Sequence, residues 1–410
     1  IKTKISEKQK HLGFDKDKMA GSDKIELRTA SILPDTIYGI VVLLDFKDVK
    51  SDVTKEQVEK FCNGDNYDEF GNSRSVKEYY QWISGGKLTY INYVTDFVTM
   101  PQNKSVYDNE KYDPWMDNLK LGFLDTISNV VLSDRFVEKS KLTKISSQIG
   151  SNYYLVNIFY AGFPECGWAK GLWPHMAMIG LNIDPKNAYG NPYQMSNLGD
   201  ELTVGCFIHE TAHLVCGWPD FYSYDGLEVN NNIYGIGTQW IGSKTKSPLA
   251  PSPYCLDMMG WAKKINITDL KNGELVTLKK EVGNVAVYYG SQETGSSNER
   301  YYLEVRDEAP EYLRGKQLKG LFVWHVNKFG SNQFSMDYNG IQLEDCRPAT
   351  YDDPCFKKGL KTEFNDEGTP SAKWDSGENS GLDIWDISEA GEKMTFRCGR
   401  AIDSIQEDRK

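Results

Sequence analysis

Apolar and polar positions change their period several times along this chain, and each change marks an element. Tyr38 to Phe46 is an almost unbroken apolar run with Asp45 near its end, which predicts a buried strand. Thr54 to Cys62 and Ser75 to Ile83 have helical spacing. Gly85-Gly86 stops the second helix, and Leu88 to Met100 then alternates as a strand does. Pro114 to Leu132 predicts a longer amphipathic helix with its proline in the first turn, where a missing N–H is tolerated. Tyr153 to Tyr160 predicts another buried strand, and Glu201 to Val215 a helix terminated by Gly217 and Pro219.

Two tracts depart from this texture. Ile1 to about Pro34 is rich in lysine and lacks an apolar period, so it reads as an extended or loosely docked segment. From about Asn266 short β-rich runs follow, at Leu275–Lys279, Val285–Tyr289, Arg300–Val305, Gly320–Val326 and Met394–Arg397, separated by Gly, Asn and Asp. That pattern predicts an antiparallel β-sandwich, with the boundary near Trp261–Ile267. The expected fold class is α+β, with a pro-region-like segment over 1–33 and a catalytic-type domain over 34–265. A β-sandwich over 266–400 and a polar tail over 401–410 complete it.

At 410 residues the chain suggests two domains or more, and 40 % hydrophobic with 12 % aromatic residues suffices for well-formed cores. A net charge of −11 argues against nucleic acid and against an anionic membrane surface, both of which need clustered Lys and Arg. The longest apolar run, Tyr38 to Leu44, falls far short of the ~20 residues of a spanning helix. A soluble monomer without a membrane span is expected. The chain begins at Ile1 with neither Met nor a signal pattern, which suggests a processed or truncated form. Eight cysteines permit up to four disulfides. Cys346 and Cys355 bracket a polar loop and are candidate partners. Cys206 and Cys216 would stand about 15 Å apart on one helix and are not. No Cys-x-x-Cys occurs, which argues against a zinc ribbon. Asn103-Lys104-Ser105 and Asn266-Ile267-Thr268 fit the glycosylation sequon but read as ordinary surface loops.

The chemistry is carried by His209-Glu210-Thr211-Ala212-His213. On a helix the two histidines are one turn apart on one face, close enough to hold a single cation, and neutral imidazoles are natural zinc ligands. Glu210 is turned by about 100° from His209, which suits a general base acting on water rather than a third ligand. Zinc would bring that water's pKa toward ~7, and the hydroxide would attack a peptide carbonyl. Apolar neighbours Cys206-Phe207-Ile208 and Leu214-Val215-Cys216 weigh against an incidental surface helix, because burying two His and a Glu needs a metal or a cleft to justify it. The third ligand is expected at Asp220, returned to the zinc by a turn at Gly217. Glu228 is the competing candidate, disfavoured by the loop-like residues around it.

His209-Glu210-x-x-His213 followed by Cys216-Gly217-Trp218-Pro219-Asp220-Phe221-Tyr222 resembles the M6 family of metallopeptidases, the immune-inhibitor-A-like secreted proteases. Val41 to Val49, Ser75-Val76-x-x-Tyr79-Tyr80 with Ser84 to Leu88, Gly171 to His175 and Tyr234 to Gly237 are similar too, as are Gly320 to Val326 and Pro370-Ser371-x-Lys373-Trp374 with Ser380-Gly381-Leu382. The resemblance spans roughly residues 35 to 398 and implies a metzincin-like zinc domain, Asp220 as third ligand, and a β-sandwich behind it. It also implies secretion, a zymogen stage and calcium as a second, structural ion. Asp65, Asp68 and Asp225 lie in polar loops without EF-hand spacing and read as solvated acidic groups. His175 and His325 fall in similar segments and are expected to pack beside tryptophans. One more residue separates His213 from Gly217 than in the commonest spacing of the broader clan. Trp240-Ile241-Gly242 stands where the family has a methionine, and Ile241 can supply the same apolar floor. Tyr234 is read as a packed aromatic, with an oxyanion-stabilising role as the alternative.

The function expected is secreted, zinc-dependent endoproteolysis of protein or peptide substrates, with Glu210 as general base. A zinc exopeptidase is the alternative within enzymes. A glycan- or surface-binding protein with a vestigial zinc site is the alternative outside them.

Overall fold

The computed structural model describes residues 33–109, 122–133, 138–146, 152–166, 170–184, 190–218, 246–270, 273–290, 298–308, 318–327, 341–343 and 355–399. The chain divides into two compact units: among the described residues the first runs to 218 and takes in 246–248, and the second begins at 249. The architecture is mixed α/β with several sheets. No described helix is long and apolar enough to cross a membrane.

The first unit contains, in order, β1 (Thr36–Asp45), α1 (Lys55–Asn63), α2 (Val76–Ile83), β2 (Thr89–Thr99), α3 (Lys104–Tyr107), α4 (Phe123–Leu132), β3 (Lys144–Ser146), β4 (Asn152–Tyr154), β5 (Val156–Tyr160), β6 (His175–Leu181), β7 (Asn191–Asn197) and α5 (Val204–Cys216). Five strands form one sheet in the order β2-β1-β5-β7-β6, parallel except for β6 against β7. Helices cover both faces, which is why β1 reads as an apolar run rather than an alternation. On one face Ile40, Val42 and Leu44 join Val156, Ile158, Tyr193 and Met195 beneath Phe123, Leu124, Ile127 and Val131 of α4. On the other, Phe61 of α1, Phe159 of β5 and Phe207 of α5 meet with ring centroids 5.0 to 5.9 Å apart. Thr54 with Gln57 and Ser75 with Glu78 form capping boxes that start α1 and α2.

The second unit holds α6 (Pro253–Met258), β8 (Lys263–Asn266), β9 (Glu274–Lys279), β10 (Asn284–Tyr288), β11 (Glu299–Glu308), β12 (Leu318–Asn327), β13 (Ile341–Leu343), β14 (Phe364–Asn365), β15 (Asp383–Trp385) and β16 (Lys393–Cys398). These make a five-stranded sheet, β13-β12-β11-β10-β8, and a four-stranded one, β14-β15-β16-β9. Inward residues of both, among them Val276, Leu278, Leu303, Val323, Ile384 and Phe396, share one core. The expectation of a wholly antiparallel arrangement is corrected at one pair, since β8 and β10 run parallel. The cause is the path of the chain: β9, between them in sequence, belongs to the other sheet, so the chain leaves and returns in the same direction.

Candidate metal centre

Two anchors set the ends of α5. Its N-terminal residue Thr203 makes no side-chain cap; instead Asn72 accepts from Val204 N at 3.0 Å and donates to the Leu202 carbonyl at 2.8 Å. At the other end Gly217 adopts φ 66°, and its N–H bonds the His213 carbonyl. This is the left-handed turn the sequence predicts, open to glycine at little cost. The body of the helix is fixed by Tyr80 Oη, 2.9 Å from Thr211 Oγ1, and by Tyr153, which donates to the Leu214 carbonyl at 2.8 Å. Every residue of α5 is buried except His209 and His213. Phe207, Ile208, Leu214 and Val215 each contribute about 1.5–3 kcal/mol by that burial.

The structure brings His209, Glu210 and His213 together, with one ligand atom of each within 4.8 Å of the others. The imidazoles stand at 89° to one another, and their Nε2 atoms are 3.4 Å apart. His213 Nδ1 donates to the Trp218 carbonyl, an acceptor only, so in the neutral ring Nε2 keeps its lone pair. Two nitrogens each about 2.05 Å from a tetrahedral zinc lie roughly 3.35 Å apart, so the observed pair fits that ion. Glu210 is buried, and its Oε1 lies 3.6 Å from His209 Nε2. It therefore sits nearer the pair than its 100° turn around the helix suggests.

Asp220 and Glu228, the third-ligand candidates, lie outside the described residues, as do Asp225, Tyr234, Ile241 and Cys346. The extra residue before Gly217 lengthens α5 to Cys216, and the turn still brings Trp218 back against His213.

A second cluster, Glu299, His325 and Asp375 in the second unit, has ligand atoms at similar spacing. Its chemistry differs. His325 Nε2 donates to Glu299 Oε2 at 2.9 Å, Asp375 N donates to the same oxygen at 2.8 Å, and Asn327 donates to Asp375 Oδ2 at 2.7 Å. Donors already face acceptors there, whereas His209 and His213 present nitrogen to nitrogen. Burial pushes Glu299 up, but the hydrogen bonds from His325 and the Asp375 N–H outweigh it and hold the carboxyl below the ordinary glutamate range. His325 stacks on Tyr301 with centroids 4.6 Å apart and lies 6.0 Å from Trp374. His175 stacks on Trp173 at 4.3 Å. Both histidines thus pack beside tryptophans, as the sequence suggests.

Cys62, Cys206, Cys255 and Cys398 are free thiols, so the chain holds fewer than the four disulfides its cysteine count permits. Burial pushes Cys206 up to about 12, with the charge of Glu210 adding to it. Sequence reasoning misses Asn72, Tyr80, Tyr153 and the Trp218 carbonyl. The Asn72-Ser73-Arg74-Ser75 turn carries no signal that its first residue caps a helix 132 residues on. Comparison with known proteins leaves the geometry to stand by itself: no family model matches the chain, and no curated protein matches it.

Proposed function

We propose that the chain is a zinc-dependent endopeptidase, M6-like and metzincin-like in its first unit, acting on protein or peptide substrates. The observation that carries this reading is the His209–His213 pair, two imidazole nitrogens 3.4 Å apart with a buried carboxylate beside them. Imidazole donors suit zinc among the common divalent ions. Bound there, zinc would polarise a carbonyl oxygen and lower the pKa of water toward ~7.

The protein's own residues do the rest. The Trp218 carbonyl holds His213 in the tautomer that offers Nε2. Glu210, whose Oε1 lies 3.6 Å from His209 Nε2, would take a proton from water and pass it to the leaving amine. Among the described residues β6 is the last strand of its sheet and runs antiparallel to β7, next to α5, which suits an extended peptide pairing along it. A vestigial site in a glycan- or surface-binding protein has no use for a buried general base, because an ionised carboxylate is expensive to keep out of water. Secretion and a structural calcium ion rest on the family resemblance and are proposed with it.

The test is digestion of an unfolded protein by wild type and by Glu210→Ala, with zinc measured in both. The variant should keep its zinc and lose about 10²- to 10⁴-fold in rate. Equal cleavage by the two proteins sinks the mechanism. Asp220→Ala should lose most of its zinc; if it stays stoichiometric, Glu228→Ala is the next variant to assay.

A further inference from the structure

β7 carries polar side chains where a central strand ordinarily carries apolar ones. Tyr193 and Met195 join the core under α4, so Gln194 and Ser196 point to the opposite face, the one α5 covers. Both are buried, at 0 % and 1 % exposed. They belong to a row that crosses the sheet. In register Asn92 lies beside Gly39, Asn157 beside Val41, and Gln194 beside Asn157. Asn157 Nδ2 donates to Asn92 Oδ1 at 2.9 Å and to Tyr90 Oη at 2.8 Å. Gln194 Nε2 donates to Asn157 Oδ1 at 3.3 Å, and Ser196 Oγ donates to Gln194 Oε1 at 2.9 Å. Gly39 makes room: a Cβ there would stand 2.8 Å from Tyr90 Oη and 2.9 Å from Asn92 Oδ1.

The row ends on the metal helix. Ser196 Oγ meets Cys206 Sγ at 3.9 Å, and the hydroxyl proton is already committed to Gln194, so the thiol is the donor. Cys206, His209 with Glu210, and His213 follow one another at helical spacing along one stripe of α5. Apolar packing is non-directional and lets a helix rotate on a sheet by small amounts. A hydrogen bond does not.

We propose that Gln194 and Ser196 are positioning residues, which act through Cys206 and add, on the sheet side, to the bonds from Tyr80 and Tyr153 in fixing the rotation of α5 and hence the spacing of His209 and His213. The inference rests on the metal reading above and deepens it. It also accounts for a buried polar row where apolar residues would avoid the cost of desolvation.

The test uses the full chain and two readouts, zinc affinity by chelator competition and the visible spectrum of the cobalt-substituted protein. Ser196→Ala and Cys206→Ala should weaken zinc about ten-fold or more and shift the cobalt bands. Cys206→Ser keeps a donor on the stripe that reaches Ser196 only after a small shift, and should retain more zinc affinity than Cys206→Ala. Tyr90→Phe removes a hydroxyl at the far end of the row, leaving Asn157 Nδ2 with Asn92 and the Ile40 carbonyl, and should also leave both readouts unchanged. Wild-type affinity and spectrum in Ser196→Ala and Cys206→Ala overturn the inference. Equal losses in all four variants overturn it too, since that is general destabilisation. Should Ser196→Ala not fold, the two Cys206 variants carry the comparison, because they leave the row intact. A wild type that takes up no zinc overturns the metal reading itself, a result distinct from one that binds zinc and ignores Ser196.

Discussion

At the scale of single residues, a proton separates the two histidine–carboxylate clusters. His325 donates a hydrogen bond to Glu299, so donor and acceptor are matched there without an ion. Its consequence is a pH dependence with a definite sign. Glu299 titrates below an ordinary glutamate in the folded protein, while in the unfolded chain it titrates near 4.3. The folded state therefore holds fewer protons, and the stability this carboxylate contributes is fully present above that value. It is lost as pH falls through the lower folded value. Glu299→Gln should be less stable than wild type at pH 6 to 7, and the difference should shrink below about pH 4. Thermal melts of both proteins across that range check it, and a difference that ignores pH contradicts the assignment.

At the scale of elements, the sequence is read best where burial is apolar and worst where it is not. The run from Tyr38 foretells β1, and the spacing before Gly85 foretells α2, to within two residues. Leu88 to Met100 becomes Thr89–Thr99, and each β-rich run after residue 266 becomes a strand within two residues at either end, except that Arg300–Val305 extends three residues further, to Glu308. β7 escapes notice because Asn191-Pro192-Tyr193-Gln194-Met195-Ser196-Asn197 hides a buried polar face, which no apolar period can report. The helix at Pro114 to Leu132 is described only over Phe123–Leu132. α5 is legible at its C-terminal stop, where Gly217 is the position that tests this, while its start, expected at Glu201, lies at Val204. Alanine in a left-handed conformation costs about 1 kcal/mol, so Gly217→Ala should lower stability by that amount. It should also weaken zinc binding, because the same turn presents the Trp218 carbonyl to His213. Urea denaturation and chelator competition measure the two effects, and an unchanged urea midpoint would refute the role given to the glycine.

At the scale of the molecule, two units imply two responses to metal. The cores are separate sets of residues, one built on β1 and β5, the other shared by the two sheets of the second unit. The nitrogen pair that fits zinc lies on α5 of the first unit, and the satisfied Glu299–His325–Asp375 cluster in the second unit. A ligand stabilises only what it binds, by about 2.7 kcal/mol at a hundred times its dissociation constant. Calorimetry of the metal-stripped full chain should then show zinc raising one transition and leaving the other in place. Leu303→Ala identifies the second transition, since a buried leucine in that core costs about 2–5 kcal/mol when truncated. His209→Ala should abolish the zinc-dependent shift and leave the transition marked by Leu303→Ala untouched. Zinc raising the marked transition instead would assign the metal to the Glu299 cluster, and a single transition raised as a whole would make the two units one cooperative block.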